Sequence, residues 1–151
     1  MAIFQIIMLS KACQYAIKAS IFIAQQSLER QTVSVKDIAI AISAPEAFTA
    51  KILQQLSKAD LLQSIRGKQG GFFVNKEHLS QVRIFDIINV IDGDSLFVSC
   101  GLGLKECSNE NPCPVHEEFK SVRAGIIKMS QKYVLSEIAH KTRLGIFRLK
   151  V

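Results

Sequence analysis

A mainly α-helical chain with one small β-hairpin and a long helix near its C-terminal end is predicted, on three observations. Apolar residues recur at three- and four-residue spacing through most segments. Two short β-prone runs flank a single glycine-rich loop at 66–71, and a heptad-like apolar seam nearly three repeats long begins at Val115. The 151 residues suffice for one domain with its own core, and 48% apolar with 21% charged residues excludes a disordered or low-complexity chain. No apolar stretch is long enough to cross a bilayer. The opening residues lack a basic n-region and are not read as a secretory signal; Met8 stands beside Met1 as a candidate start, and a cytoplasmic protein is expected. Nineteen Lys and Arg against thirteen Asp and Glu give a net charge of +6, which favours a polyanionic partner over a membrane.

The elements follow in order. Ser10 is a good N-cap for a helix reaching about Leu28, with Leu9, Ala12, Ala16, Ala19 and Ile23 on one stripe and Ile17, Ile21, Ala24 and Leu28 on another. Packing on two stripes makes it a core helix. Cys13 shares the spacing of Leu9 and Ala16 and reads as a buried small apolar residue. Ser34 with Asp37 three residues on is a capping-box pattern ahead of Ile38, Ala39 and Ile42. Pro45 suits the first turn of the next helix, whose expected buried stripe is Phe48, Ile52, Leu53 and Leu56. Thr49, Lys51, Gln54, Gln55 and Lys58 fall off that stripe, on a polar and basic outer face. Two short helices with a tight break, the second amphipathic, form the helix-turn-helix pattern.

Leu62 to Ile65 and Phe72 to Val74 then pair around Arg66-Gly67-Lys68-Gln69-Gly70-Gly71. Glycine supplies the backbone freedom such a loop needs. A hairpin directly after a helix-turn-helix is the wing of a winged helix, and Arg66 and Lys68 at its tip are placed for phosphate or a minor groove. Ile84, Ile87, Ile88 and Ile91 mark a further helix stopped by Gly93, closing a DNA-binding region at 8–93. An irregular loop is expected at 94–114. Beyond it Phe119, Val122, Ile126, Met129 and Tyr133 continue the seam from Val115, so that 115–140 reads as a dimerisation helix region with one added turn at 135–140. Residues 141–151 read as a basic tail.

Three of the four cysteines, Cys100, Cys107 and Cys113, crowd into fourteen residues, with His116 three positions further on. Thiolates are soft ligands for zinc, copper(I) or iron–sulfur clusters, and the absence of a close cysteine pair favours a cluster over structural zinc. His116 is the natural fourth ligand, and an ordinary surface residue at the helix start is its other reading. His78 and His140 have no ligand-type neighbours, and no nucleophile with a plausible base is present. An enzyme is not expected.

Leu9-Ser10-Lys11 with Tyr15-Ala16, Lys51-Ile52-Leu53 with Leu56, Arg66-Gly67 with Gly70-Gly71-Phe72, and then the cysteine triplet resemble the bacterial winged-helix (Rrf-type) regulators typified by IscR, NsrR and CymR over about 9–138. The resemblance implies a homodimeric transcription factor on a near-palindromic site in double-stranded DNA, with residues 45–59 as recognition helix and Arg66 entering the minor groove. It also implies an iron–sulfur cluster on Cys100, Cys107, Cys113 and His116, of the two-iron type by preference and the four-iron type as alternative, sensing cluster supply, redox or nitric oxide. Ala50 occupies the place of the acidic base-reader of IscR-like members, and Gln14 that of the carboxylate ligand some NsrR-like members take from a partner, so neither feature carries over. A cluster-free regulator answering to a ligand or protein partner, and a zinc-dependent nucleic-acid-binding module, are the competing readings.

Overall fold

The computed structural model describes residues 8–149. Among these the order is α1 (Lys11–Leu28), α2 (Val35–Ile42), α3 (Glu46–Lys58), β1 (Gln63–Ile65), β2 (Gly71–Phe73), α4 (Lys76–Gln81), α5 (Ile84–Ile91), α6 (Ser95–Val98), α7 (His116–Lys132) and α8 (Leu135–Arg143). The expected mainly α fold with one hairpin is what forms. The question of Met1 as start lies outside the described residues.

α1 begins where the Ser10 hydroxyl accepts the Cys13 N–H at 3.0 Å. It buries Cys13, Ala16, Ala19, Ile21, Ile23 and Ala24, and packs against α2, α3, α5 and α8. Both of its stripes are covered, as its sequence required. α2 is capped by Ser34, whose hydroxyl accepts the Asp37 N–H at 3.2 Å. Ser43 closes it in the left-handed region at φ 54, ψ 49, turning the chain sharply into α3. Pro45 stands as N-cap, one position before the first turn in which it was expected.

α3 corrects two sequence expectations. Its buried stripe is Thr49, Ile52, Leu53 and Leu56, whereas Phe48 is 38% exposed and meets Tyr15 edge-on at 5.9 Å. Thr49 can take an inward position because its hydroxyl donates to the Pro45 carbonyl at 2.9 Å, which satisfies the group inside the helix.

The wing is a two-stranded antiparallel hairpin with Gln63 opposite Phe73 and Ile65 opposite Gly71. Val33 forms an isolated antiparallel bridge on the other edge of β2, exchanging backbone hydrogen bonds with Phe72. Gly70 and Gly71 are required here by contact. A Cβ on Gly70 would sit 2.1 Å from the Ile65 carbonyl oxygen, and one on Gly71 2.5 Å from that of Val33.

Three short features were not expected. α4 follows the wing, capped by Asn75, and contributes Leu79 to the core. α6 lies inside the segment expected to be irregular, because Phe97 anchors it by stacking on Phe85 at 4.6 Å. The expected tail is also corrected: α8 runs to Arg143, and Phe147 and Leu149 fold back onto the main core, Phe147 meeting Tyr133 at 6.3 Å. Lys150 and Val151 lie outside the described residues.

Candidate functional site

α3 and the wing carry the side chains that the sequence assigns to DNA contact. Lys51, Gln54, Gln55 and Lys58 are exposed on the face of α3 opposite Ile52, Leu53 and Leu56, which pin the helix to the core. Thr49 is removed from that surface: it is fully buried, so its hydroxyl has no access to a partner outside the chain. Arg66 and Lys68 are exposed on the loop joining β1 and β2. Among the described residues none of Lys51, Lys58, Arg66 and Lys68 is held in an ion pair.

The cysteine loop lies between α6 and α7. It brings the four sequence-predicted donors into two pairs. Cys100 Sγ stands 4.0 Å from Cys113 Sγ, and Cys107 Sγ 3.4 Å from His116 Nδ1. No three Cys, His, Asp or Glu side chains converge on a single point among the described residues. All four cysteines are free thiols. His116 opens α7 and is 4% exposed, which excludes the reading of it as an ordinary surface residue.

At Cys100 the surroundings favour thiolate. Backbone N–H groups of Leu102 and then Leu104 hold the Cys100 thiol below its ordinary range against the opposing effect of burial, with Cys113 and the Arg123 charge adding smaller pulls. Arg123 on α7 directs Nη1 and Nη2 at Cys107 Sγ, each 3.0 Å away, and Nη1 also donates to the Ser99 carbonyl at 2.6 Å. Cys13 is the opposite case: burial first, then the charge and hydrogen bond of Asp92, push its thiol up to about 12. It is an inert core residue. The donor set as a whole, three thiols and an imidazole with a cation and backbone donors around them, fits a soft metal or iron–sulfur centre by its chemistry.

The expected dimer seam is partly unpartnered. Val122 and Met129 are 56% and 48% exposed. Phe119 lies across Gly101, where a Cβ would meet its ring at 2.3 Å, and so ties the cysteine loop to α7. Ile126 packs against the small cluster of Cys13, Ile88 and Phe97. Tyr133 stands as the C-cap of α7 and packs against Phe147 and the main core while staying partly exposed.

The family profile described as Rrf2, iron-dependent transcriptional regulator, matches residues 9–141. The chain belongs to the Rrf2 family. A protein of Aquifex aeolicus described as an HTH-type transcriptional regulator is 32% identical over 120 residues, 78% of this chain and 81% of that one. The transcriptional regulator NsrR of Oceanobacillus iheyensis is 24% identical over 131 residues, 86% of this chain and 88% of its own. Among solved structures, CymR of B. subtilis, described as its global cysteine regulator, has a TM-score of 0.73 at 23% identity, covering 87% of this chain and 95% of that one. IscR of T. potens gives 0.72 at 23%, covering 93% and 91%. These structures share the fold, and the family makes this chain an Rrf2-type, DNA-binding transcriptional regulator related to regulators rather than to enzymes.

Within this Rrf2 chain, sequence reasoning missed three residues at the loop: Arg123, Asn109 and Lys120. Lys120 and Arg123 lie four and seven residues after His116, which places them on its face of α7. That spacing was the available signal.

Proposed function

We propose that this Rrf2 regulator is a cytoplasmic homodimer that grips a near-palindromic site in double-stranded DNA under the control of an iron–sulfur cluster held by Cys100, Cys107, Cys113 and His116. The observation that carries the reading is the sorting of the four donors into two pairs, at 4.0 and 3.4 Å. Two donors on one tetrahedral metal, with bonds of about 2.3 Å, stand about 3.7 Å apart. A two-iron cluster takes two ligands per iron, so Cys100 with Cys113 and Cys107 with His116 suit its two ends, and a four-iron cluster is the less natural match. When bound, such a cluster supplies a centre that reacts to oxidants, nitric oxide and iron shortage.

The chain's own residues convert loop order into DNA affinity. Arg123 holds Cys107 and Ser99 to α7, and Phe119 holds Gly101 there, so reshaping the loop moves the helix. Val122 and Met129 of α7 face the second subunit, and α7 also packs on α5, which packs on α1 and α3. A displaced α7 therefore changes the separation of two recognition helices seated in successive major grooves, a population shift between competent and incompetent dimers. Lys51, Gln54, Gln55 and Lys58 meet the groove, and Arg66 and Lys68 the flanking backbone.

Anaerobic purification followed by visible and Mössbauer spectroscopy tests the cluster. A coloured wild type and a colourless but folded, dimeric Cys107→Ala variant are expected. Colourless, iron-free wild type that still retains a promoter fragment favours the cluster-free regulator. Stoichiometric zinc without visible absorption would bring the zinc module forward.

A further inference from the structure

The environment of His116 distinguishes its two ring nitrogens. Nδ1 faces Cys107 Sγ at 3.4 Å, and Nε2 lies 2.9 Å from Asn109 Oδ1. The same Asn109 oxygen receives Lys120 Nζ at 3.1 Å. An ammonium can only donate, so the Asn109 atom it meets is the carbonyl oxygen and not the amide nitrogen. A carbonyl oxygen can only accept, so Nε2 beside it carries the proton. The exposed Glu117 carboxylate, 3.9 Å from Nε2, acts in the same sense. Nδ1 is then left with its lone pair, in the direction of a sulfur that Arg123 already approaches with two N–H donors.

We propose that Asn109, itself steadied by Lys120, is a positioning residue that fixes His116 as the Nε2-protonated tautomer, so that Nδ1 is the nitrogen presented beside Cys107 for metal. The inference rests on the reading of His116 as a ligand. Without the acceptor, the ring is free to rotate about its side-chain bonds and to exchange tautomers, and the lone pair is no longer held toward Cys107. A hydrogen bond on the far nitrogen also raises the basicity of the ligating one, which strengthens its hold on metal.

Two measurements separate this inference from the cluster reading. The first is long-range proton–nitrogen NMR of metal-free, histidine-labelled protein at mildly alkaline pH, with the His116 signals assigned by their loss in His116→Gln. A protonated Nε2 and a bare Nδ1 are expected in the wild type and in Asn109→Asp, with mixed tautomers in Asn109→Ala. A protonated Nδ1 in the wild type, or an Asn109→Ala spectrum identical to it, overturns the proposal. The second is the rate at which a chelator strips iron from protein reconstituted with iron and sulfide. Asn109→Ala should lose it about 10- to 100-fold faster and Asn109→Asp near the wild-type rate. Equal rates for wild type and Asn109→Ala overturn the proposal. If wild type takes up no cluster at all, the cluster reading fails and the NMR result alone decides the tautomer.

Discussion

Single residues divide by whether local pattern or tertiary placement gives them their role. Cys100, Cys107, Cys113 and His116 stand out as a chemical type at close spacing, and Arg66 and Lys68 as charges on a glycine loop, so both sets are legible in the sequence. Thr49 is not, because a hydroxyl that satisfies itself on its own helix can be buried at no hydrogen-bond cost. Arg123 and Asn109 gain meaning only when the loop folds across α7. Arg66→Ala should weaken operator binding and flatten the dependence of log affinity on log salt by about two units for the dimer, since one phosphate contact and its released counterion are lost in each subunit. A titration series over salt concentration checks it, and an unaltered slope would take Arg66 off the DNA. Cys13 gives a pH prediction. Its folded-state thiol titrates near 12 against an ordinary 9.0, so above pH 9 the unfolded chain loses a proton that the folded chain keeps. Stability from this group is full below 9.0 and is lost as pH rises toward 12. Cys13→Ala should flatten that alkaline fall in chemical-denaturation midpoints, and a curve parallel to wild type would contradict the burial of the thiol.

Elements were legible where their periodicity is long enough to be self-evident. α1, α2, α3, α5 and α7 each show capping or stripe signals within their own residues, whereas α4 and α6, of six and four residues, offer less than two turns and depend on Leu79 and Phe97 finding partners elsewhere. The wing is legible because two short β-prone runs flank a glycine-rich loop. Gly70→Ala should distort it, as the added carbon would overlap the Ile65 carbonyl. The expected result is DNA affinity lowered about tenfold or more with helical circular dichroism unchanged; full affinity would show that the wing is not a contact. On α7, Val122→Lys should shift the proposed dimer toward monomer by about tenfold or more in dissociation constant, because a cation would enter the apolar contact assigned to Val122. Ile126→Lys should in addition lower the melting temperature, since Ile126 also packs on Cys13, Ile88 and Phe97. Sedimentation of both variants against their thermal melts separates the two effects, and an undisturbed Val122→Lys dimer would assign the exposed stripe to another partner.

At the scale of the whole molecule, the order of parts was visible and their mutual attachment was not. Nothing local in residues 144–149 announces that Phe147 will find Tyr133 and that Leu149 will reach the core, because those contacts join segments far apart along the chain. The same is true of α1. It packs against α2, α3, α5 and α8, and its Cys13 shares a small core with Ile88 of α5 and Phe97 of α6, the helix just ahead of the sulfur-bearing loop. One beam therefore supports both the helix proposed to meet nucleic acid, α3, and the α5–α6 segment from which the thiol loop departs. Heating cannot release either of them separately while that beam stands, and a calorimeter should record one shared endotherm for the subunit instead of two staggered ones.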